Sequence, residues 1–438
     1  DSWRLRKLTL FGKITIIKSL ALPKLLYSIS MLPTPSYLIK QVNKILFNFL
    51  WGKVDRIKRS VLINDYDKGG CKMIDIESYV MSMKCSWLNR IYKNSNLLWT
   101  KCPLKYFGQM SLHILGQMDA YNDTNLFNIQ SIPEFYREAV ISFLKVNKRK
   151  EIISKSDLYS SILWGNRQLT VRGKPLYDKY FIASRYIYVR DILDDNGNFR
   201  DIIHENLVNR STYLRTISML MSALKHFRAI RFSNETYDFI QHENLLCGKA
   251  NSKKYYNLFR KQKCSDSNAL DKLNRTFIND YFQWKLVYSL KIRNQFEMSI
   301  SEFNYKLVYS LLPTKSNLFK WKKSDNPTCI YCNELQDSLH LLYYCEHLDN
   351  LWILISNIIS FQIEAHHIIC CNEISDTKNK IISLISYIIY KKYLIDKENN
   401  LVLPINDYVK SELIYKNSLY IKCEYNNHDI ICEIINSL

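Results

Sequence analysis

Between Cys329 and Cys345 the chain reads C-I-Y-C-N-E-L-Q-D-S-L-H-L-L-Y-Y-C, which sets three thiols and one imidazole at C-x2-C-x7-H-x4-C spacing. A Cys-x-x-Cys turn aims two thiolates at one centre, and a following helix presents His340 and Cys345 from adjacent turns. That donor set completes the tetrahedral shell zinc prefers. Four protein ligands leave no open position for water, so the expected zinc is structural rather than catalytic. His347, seven residues beyond His340, is the alternative to Cys345 as fourth ligand. The competing reading is a pair of half-buried cysteines beside an unrelated histidine.

The elements around this cluster are those of a globular, aromatic-rich chain: 438 residues, 47% hydrophobic and 13% aromatic, enough for two or three cores. Twelve cysteines are far too few for a disulfide scaffold, and no charged-then-apolar leader opens the sequence, so an intracellular, reducing compartment is expected. Nucleus and cytoplasm are not distinguished. The apolar stretch Ile381 to Tyr390 is far shorter than the roughly 20 residues that span a bilayer and reads as a buried helix; no membrane partner is expected. The chain begins at Asp1 with its apolar pattern already under way, as expected of a piece of a longer protein.

The net charge is +20, and it is unevenly placed. Residues 1–60 hold twelve bases and two acids, whereas residues 346–438 hold eight bases and twelve acids. A polyanion would therefore be gripped at the N-terminal end. The candidate phosphate contacts are Arg4, Arg6, Lys7, Lys13, Lys18, Lys24, Lys40, Lys44, Arg56, Lys58 and Arg59. For any single lysine, a solvated surface position is the simpler reading.

Leu5, Leu8, Ile14, Ile17 and Ala21 recur at helical spacing with bases between them, which predicts an amphipathic helix broken near Gly12. A second helix is expected from Pro23 to about Pro33. A third has Thr34 as N-cap and Pro35 at its first position, with Leu38, Val42, Ile45 and Phe49 on the buried face and Gly52 as its stop. Three such helices could lie along a phosphate backbone without reading bases.

W-R-L-R-K-L-T-L-F-G-K-I at Trp3 to Ile14, L-P-K-L-L-Y at Leu22 to Tyr27, F-L-W at Phe49 to Trp51 and Gly69-Gly70 ahead of D-I-E-S-Y at Asp75 to Tyr79 follow one another in that order. Together they resemble the segment after the polymerase palm of LINE-type (non-LTR) retrotransposon reverse transcriptases. The resemblance resumes at Arg190 to Phe199, Ser252 to Tyr256 and Phe303 to Leu307, and ends with the Cys-Cys-His-Cys cluster and Trp352. It covers about residues 1 to 355. It implies a thumb-like basic domain over 1–60, a helical region over 61–263, a linker and helical lead-in over 264–320 and a zinc-binding module over 321–355. The tail 356–438 stays unassigned. It also implies partners: RNA and DNA, namely the element's own RNA and its target-site DNA, held during target-primed reverse transcription.

The chemistry of polymerisation is missing from the pattern. A palm needs paired aspartates on a hairpin to hold two metal ions about 4 Å apart. The adjacent pair here, Asp194-Asp195, precedes Asn196-Gly197, a tight-turn signal. A nuclease after the knuckle would typically open with Pro-Asp, but Pro404 is followed by Ile405. No G-x-S-x-G elbow, P-loop or dinucleotide fingerprint occurs.

Lys145 to Lys150, Lys225 to Phe232 and Lys253 to Lys263 are basic runs, the last two interleaved with aromatics. Their rings either stack unpaired bases or are core residues with solvated neighbours. Residues 264–274 are polar and read as a linker. The expectation is thus a mainly α chain, with a helical thumb bundle, a helical middle and a small zinc knuckle followed by helices, which binds nucleic acid and catalyses nothing by itself. The alternative is an architectural or protein-interaction module stapled by zinc.

Overall fold

The computed structural model describes residues 3, 6–52, 54–94, 96–107, 112–119, 132–147, 151–200, 210–236, 238, 246, 251–277, 282–369, 375–399, 404–422 and 428–438. The fold is mainly α, as the sequence predicts. The described strands are β1 (Thr170–Val171) and β2 (Lys174–Pro175), an antiparallel pair with Thr170 opposite Pro175.

At the N-terminal end, α1 (Leu10–Ile16) runs through a π turn at Ile17–Ala21 into α2 (Leu22–Met31). Gly12 does not break α1; its N–H is capped by the Thr9 hydroxyl at 3.1 Å. The helix expected from Pro23 is α2, which starts one residue earlier and follows directly on the π turn. A proline inside a helix lacks its N–H and crowds the carbonyl four residues back, and the widened turn just before it relieves that crowding. The run Leu10–Met31, with mean hydropathy 1.3, is long and apolar enough by length and composition to cross a membrane. Its N-terminal end, however, is tied into protein: the Leu10 N–H donates to Glu302 and the Lys13 ammonium to the Leu50 carbonyl.

The third helix, α3 (Ser36–Trp51), starts one residue later than expected, with the Leu38 and Ile39 N–H groups on the Pro35 carbonyl. Gly52, at φ 83°, ends it as predicted. Its buried face is not the predicted one. Leu46, Phe47 and Leu50 are buried, while Leu38 and Ile45 are exposed.

The chain divides into two compact units. Unit 1 comprises Asp1–Ala21, Lys44–Ile74 and Cys264–Leu438, and unit 2 comprises Leu22–Asn43 and Asp75–Lys263. The segment expected as one domain over 1–60 is therefore shared between them.

In unit 2 the helix Ile76–Lys93 packs against Glu134–Val146 and Ser252–Lys263. Its buried Ser78, Ser82 and Ser86 are small enough for close helix approach. Asp75 caps it by accepting from the Ser78 N–H at 2.8 Å, and Lys263 bridges Asp75 and Glu77. Tyr159, Trp164, Phe181, Tyr255 and Phe259 fill the core. The one deeply buried lysine of the Ile76–Lys93 helix, Lys84, is matched by Glu138 and the Leu32 carbonyl.

In unit 1 the helices Met298–Val308 and Asp376–Asn399 carry the core, with Tyr305, Ile382, Ile385 and Ile388 fully buried. Residues 268–276, which begin inside the expected linker and run past its end, form a helix capped by Ser267, and Ser265 is fastened by Asn64 and Ser60. Gly69-Gly70 makes the turn on which this packing closes. Gly69 sits at φ 75°, and its carbonyl accepts from the Tyr305 and Tyr309 hydroxyls. A Cβ at Gly70 would lie 2.2 Å from the Asn64 carbonyl oxygen. Gly70→Ala is therefore expected to destabilise unit 1 by about 3 kcal/mol, read as an earlier thermal unfolding transition; an unchanged melting curve contradicts the close approach.

Candidate metal centre and basic surface

The knuckle is built by a short reversal of the chain. Thr328 and Leu335 form an isolated antiparallel bridge, and the Cys329 N–H donates to the Glu334 carbonyl at 2.6 Å. Asn333 takes φ 65°, a left-handed conformation that asparagine tolerates better than most residues. This turn aims Cys329 and Cys332 the same way.

His340 and Cys345 come from the next element, and their spacing sets a geometric problem. Five residues of α-helix rotate the chain through about 500°, leaving the two side chains about 140° apart. The chain solves it with a π turn, His340–Tyr344, closed by the Cys345 N–H on the His340 carbonyl at 3.0 Å. Asp337 starts this turn by accepting from the His340 N–H at 2.8 Å.

The result is that the ligand atoms of Cys329, Cys332, His340 and Cys345 all lie within 4.8 Å of one another, a group able to hold a metal ion. The Cys329 and Cys345 sulfurs are 3.7 Å apart, Cys345 and Cys332 are 3.6 Å apart, and the Cys332 sulfur lies 3.2 Å from the His340 Nε2. These separations exclude a disulfide, whose sulfurs stand about 2.05 Å apart. The thiols differ sharply. The hydrogen bond from Cys345 favours the Cys329 thiolate against its burial, helped by the Tyr331 and Cys332 N–H groups, while sharing with that thiolate pushes Cys345 up. A site that already favours a thiolate is prepared for a cation.

Three residues that spacing did not reveal complete the surroundings. Gln336, fully buried, donates to the Cys329 sulfur at 3.4 Å and accepts from the Lys315 N–H. Tyr331, between the first two cysteines, donates to Asp396 at 2.7 Å, and Asp396 is paired with Lys392, both 1% exposed. No local signal could have found Asp396, since it lies 65 residues away.

His347 lies outside this cluster. Its ring stacks on Tyr331 at 4.0 Å, and burial lowers its pKa to about 4.

The basic candidates fare unequally. Arg4 lies outside the described residues. Lys13 caps the C-terminal turn of α3 through Leu50, and Arg59 pairs with Asp55 at 2.7 Å while covering Phe47. Arg56 stands over Trp321 and Arg6 over Trp3. Lys7, Lys18, Lys24, Lys40, Lys44 and Lys58 are exposed, with Lys24 and Lys40 in unit 2 and the others in unit 1.

Of the interleaved aromatic runs, Lys253 to Lys263 sends two rings into the core, whereas Phe232 of the run Lys225 to Phe232 is exposed. Tyr255 and Phe259 are buried, and Arg231 lies over both Phe199 and Phe232 while donating to the Gly197 carbonyl. Asp194-Asp195 forms a tight turn, as expected: the Asp194 carboxylate accepts from the Asn198 N–H at 2.7 Å and Gly197 takes φ 83°.

No family model matches the chain. The protein is expected to carry one divalent metal ion per chain and Cys332→Ser to lose it, checked by elemental analysis after gel filtration; full retention by that variant removes the assignment.

Proposed function

We propose that the chain is the nucleic-acid-holding portion that follows the palm of a LINE-type reverse transcriptase, and that its metal centre is a structural zinc site. The observation that carries this reading is the convergence of Cys329, Cys332, His340 and Cys345, the same residues that end the resemblance. Tetrahedral zinc with Zn–S bonds of about 2.3 Å sets sulfurs about 3.8 Å apart, close to the separations here. Four protein donors fill the shell, so zinc's contribution is folding energy, about 10 to 16 kcal/mol of apparent binding in small modules. Gln336 holds the Cys329 sulfur in place beside it.

The exposed lysines of α2, α3 and the flanking segments supply the grip on a phosphate backbone. Such contacts are indifferent to sequence and release counterions, each contributing about 0.7 to 0.9 to the slope of log affinity against log salt. Lys40 and Lys44 are exposed on α3. Replacing both with alanine is expected to weaken RNA and DNA binding alike and to flatten the salt slope by about 1 to 2, with helicity by circular dichroism unchanged because alanine is a good helix former. An unchanged slope in the folded variant favours the architectural alternative, in which zinc staples a module that holds no nucleic acid.

The chain alone is expected to extend no primer with magnesium or manganese. Phosphoryl transfer relies on carboxylates that position metal ions, and Asp194 is engaged in closing a turn. Incorporation that Asp194→Asn abolishes contradicts this.

A further inference from the structure

Of the aromatic rings that sequence places among bases, Tyr255 and Phe259 are buried, but two rings elsewhere are open. Among the described residues Tyr27 and Tyr37 are the most exposed tyrosines, at 76% and 64%. Both lie in the part of unit 2 that α2 and the first half of α3 contribute. On α2, Lys24, Tyr27 and Met31 follow at i, i+3 and i+7, so they share one face, and all three are exposed. On α3, Tyr37 and Lys40 stand three apart on one face, and both are exposed. Each helix thus presents an open phenol ring one turn from an ammonium group.

We propose that these faces stack the unpaired bases of a single-stranded nucleic acid. The inference rests on the nucleic-acid reading above and narrows it from a phosphate backbone in general to a strand with free bases. In a duplex the base faces are hidden and exposed tyrosines gain nothing, whereas a single strand offers both a π-face and a phosphate to each ring and lysine. Charge commits the occupant: residues 22–43, the stretch that carries both rings, contain Lys24 and Lys40 and no acid, so the surface complements a polyanion. The rings carry no positional code, and the surface tolerates any base.

The test uses the whole chain and two fluorescent oligonucleotides of equal length, one of thymidines and one with abasic sites throughout, followed by anisotropy at one salt concentration. The abasic strand reports the backbone grip alone. The wild-type chain is expected to prefer the thymidine strand. Tyr27→Ser with Tyr37→Ser is expected to lose that preference by about fivefold or more per ring while binding the abasic strand as before, and Tyr27→Phe with Tyr37→Phe to keep it.

A preference that survives the serine variant, or wild-type binding that is equal for both strands, overturns the stacking role and leaves the nucleic-acid reading standing. Failure to bind either strand overturns both. Binding to anionic phosphatidylserine vesicles that the serine variant loses, with oligonucleotide binding untouched, reassigns the surface to lipid and likewise overturns the proposal.

Discussion

The gap from His340 to Cys345 is one residue longer than an α-helical turn can bridge, and the knuckle depends on how that excess is absorbed. The π turn lets the imidazole and the thiol meet Cys329 and Cys332 without distorting the reversal that carries the first pair. It is an instance of a general rule, that π turns gather where a side chain must be re-aimed rather than where helix propensity is poor. The same device recurs at Ile17–Ala21, where Pro23 and not a ligand sets the demand. In both places an irregular turn reconciles a fixed sequence spacing with a continuous helical path.

Around this point charge is used inside the protein as much as outside it. Lys392 and Asp396, both 1% exposed, form a buried pair that Tyr331 completes, and Lys416 reaches Glu297. Breaking one member of such a pair strands the other in a low dielectric, a loss of several kcal/mol that a surface pair never carries. A net charge of +20 therefore overstates the positive surface: some cations, Lys13 and Lys84 among them, hold the fold together.

Local signals were readable where one residue type has one physical use. Gly52 as a helix stop, Asp194 to Gly197 as a tight turn and the four-ligand cluster were all legible because conformation or donor chemistry leaves few alternatives. The face of α3 was not. Tyr37, Leu38, Ile39, Val42, Ile45, Leu46, Phe47, Phe49 and Leu50 surround the helix with apolar side chains, so periodicity could not say which of them a neighbour would cover. Likewise Tyr255 and Phe259 between lysines read equally as stacking rings or core, and burial at 0% and 1% comes from packing against residues distant in sequence. The partner of Tyr331 was out of reach for the same reason.

The separation between Tyr331 and Asp396 also orders events as the chain folds. The ligand set closes over 16 residues, whereas the Tyr331–Asp396 contact closes over 65. Loop-closure entropy rises by about 0.6 kcal/mol per doubling, so the longer closure costs about 1.2 kcal/mol more before any contact repays it. The four clustered residues are all present in the chain once Cys345 is, while docking of the helix Asp376–Asn399 waits for sequence that emerges later from the ribosome. The metal-binding residues thus close the shorter loop, and the carboxyl-terminal helix closes the longer one around them.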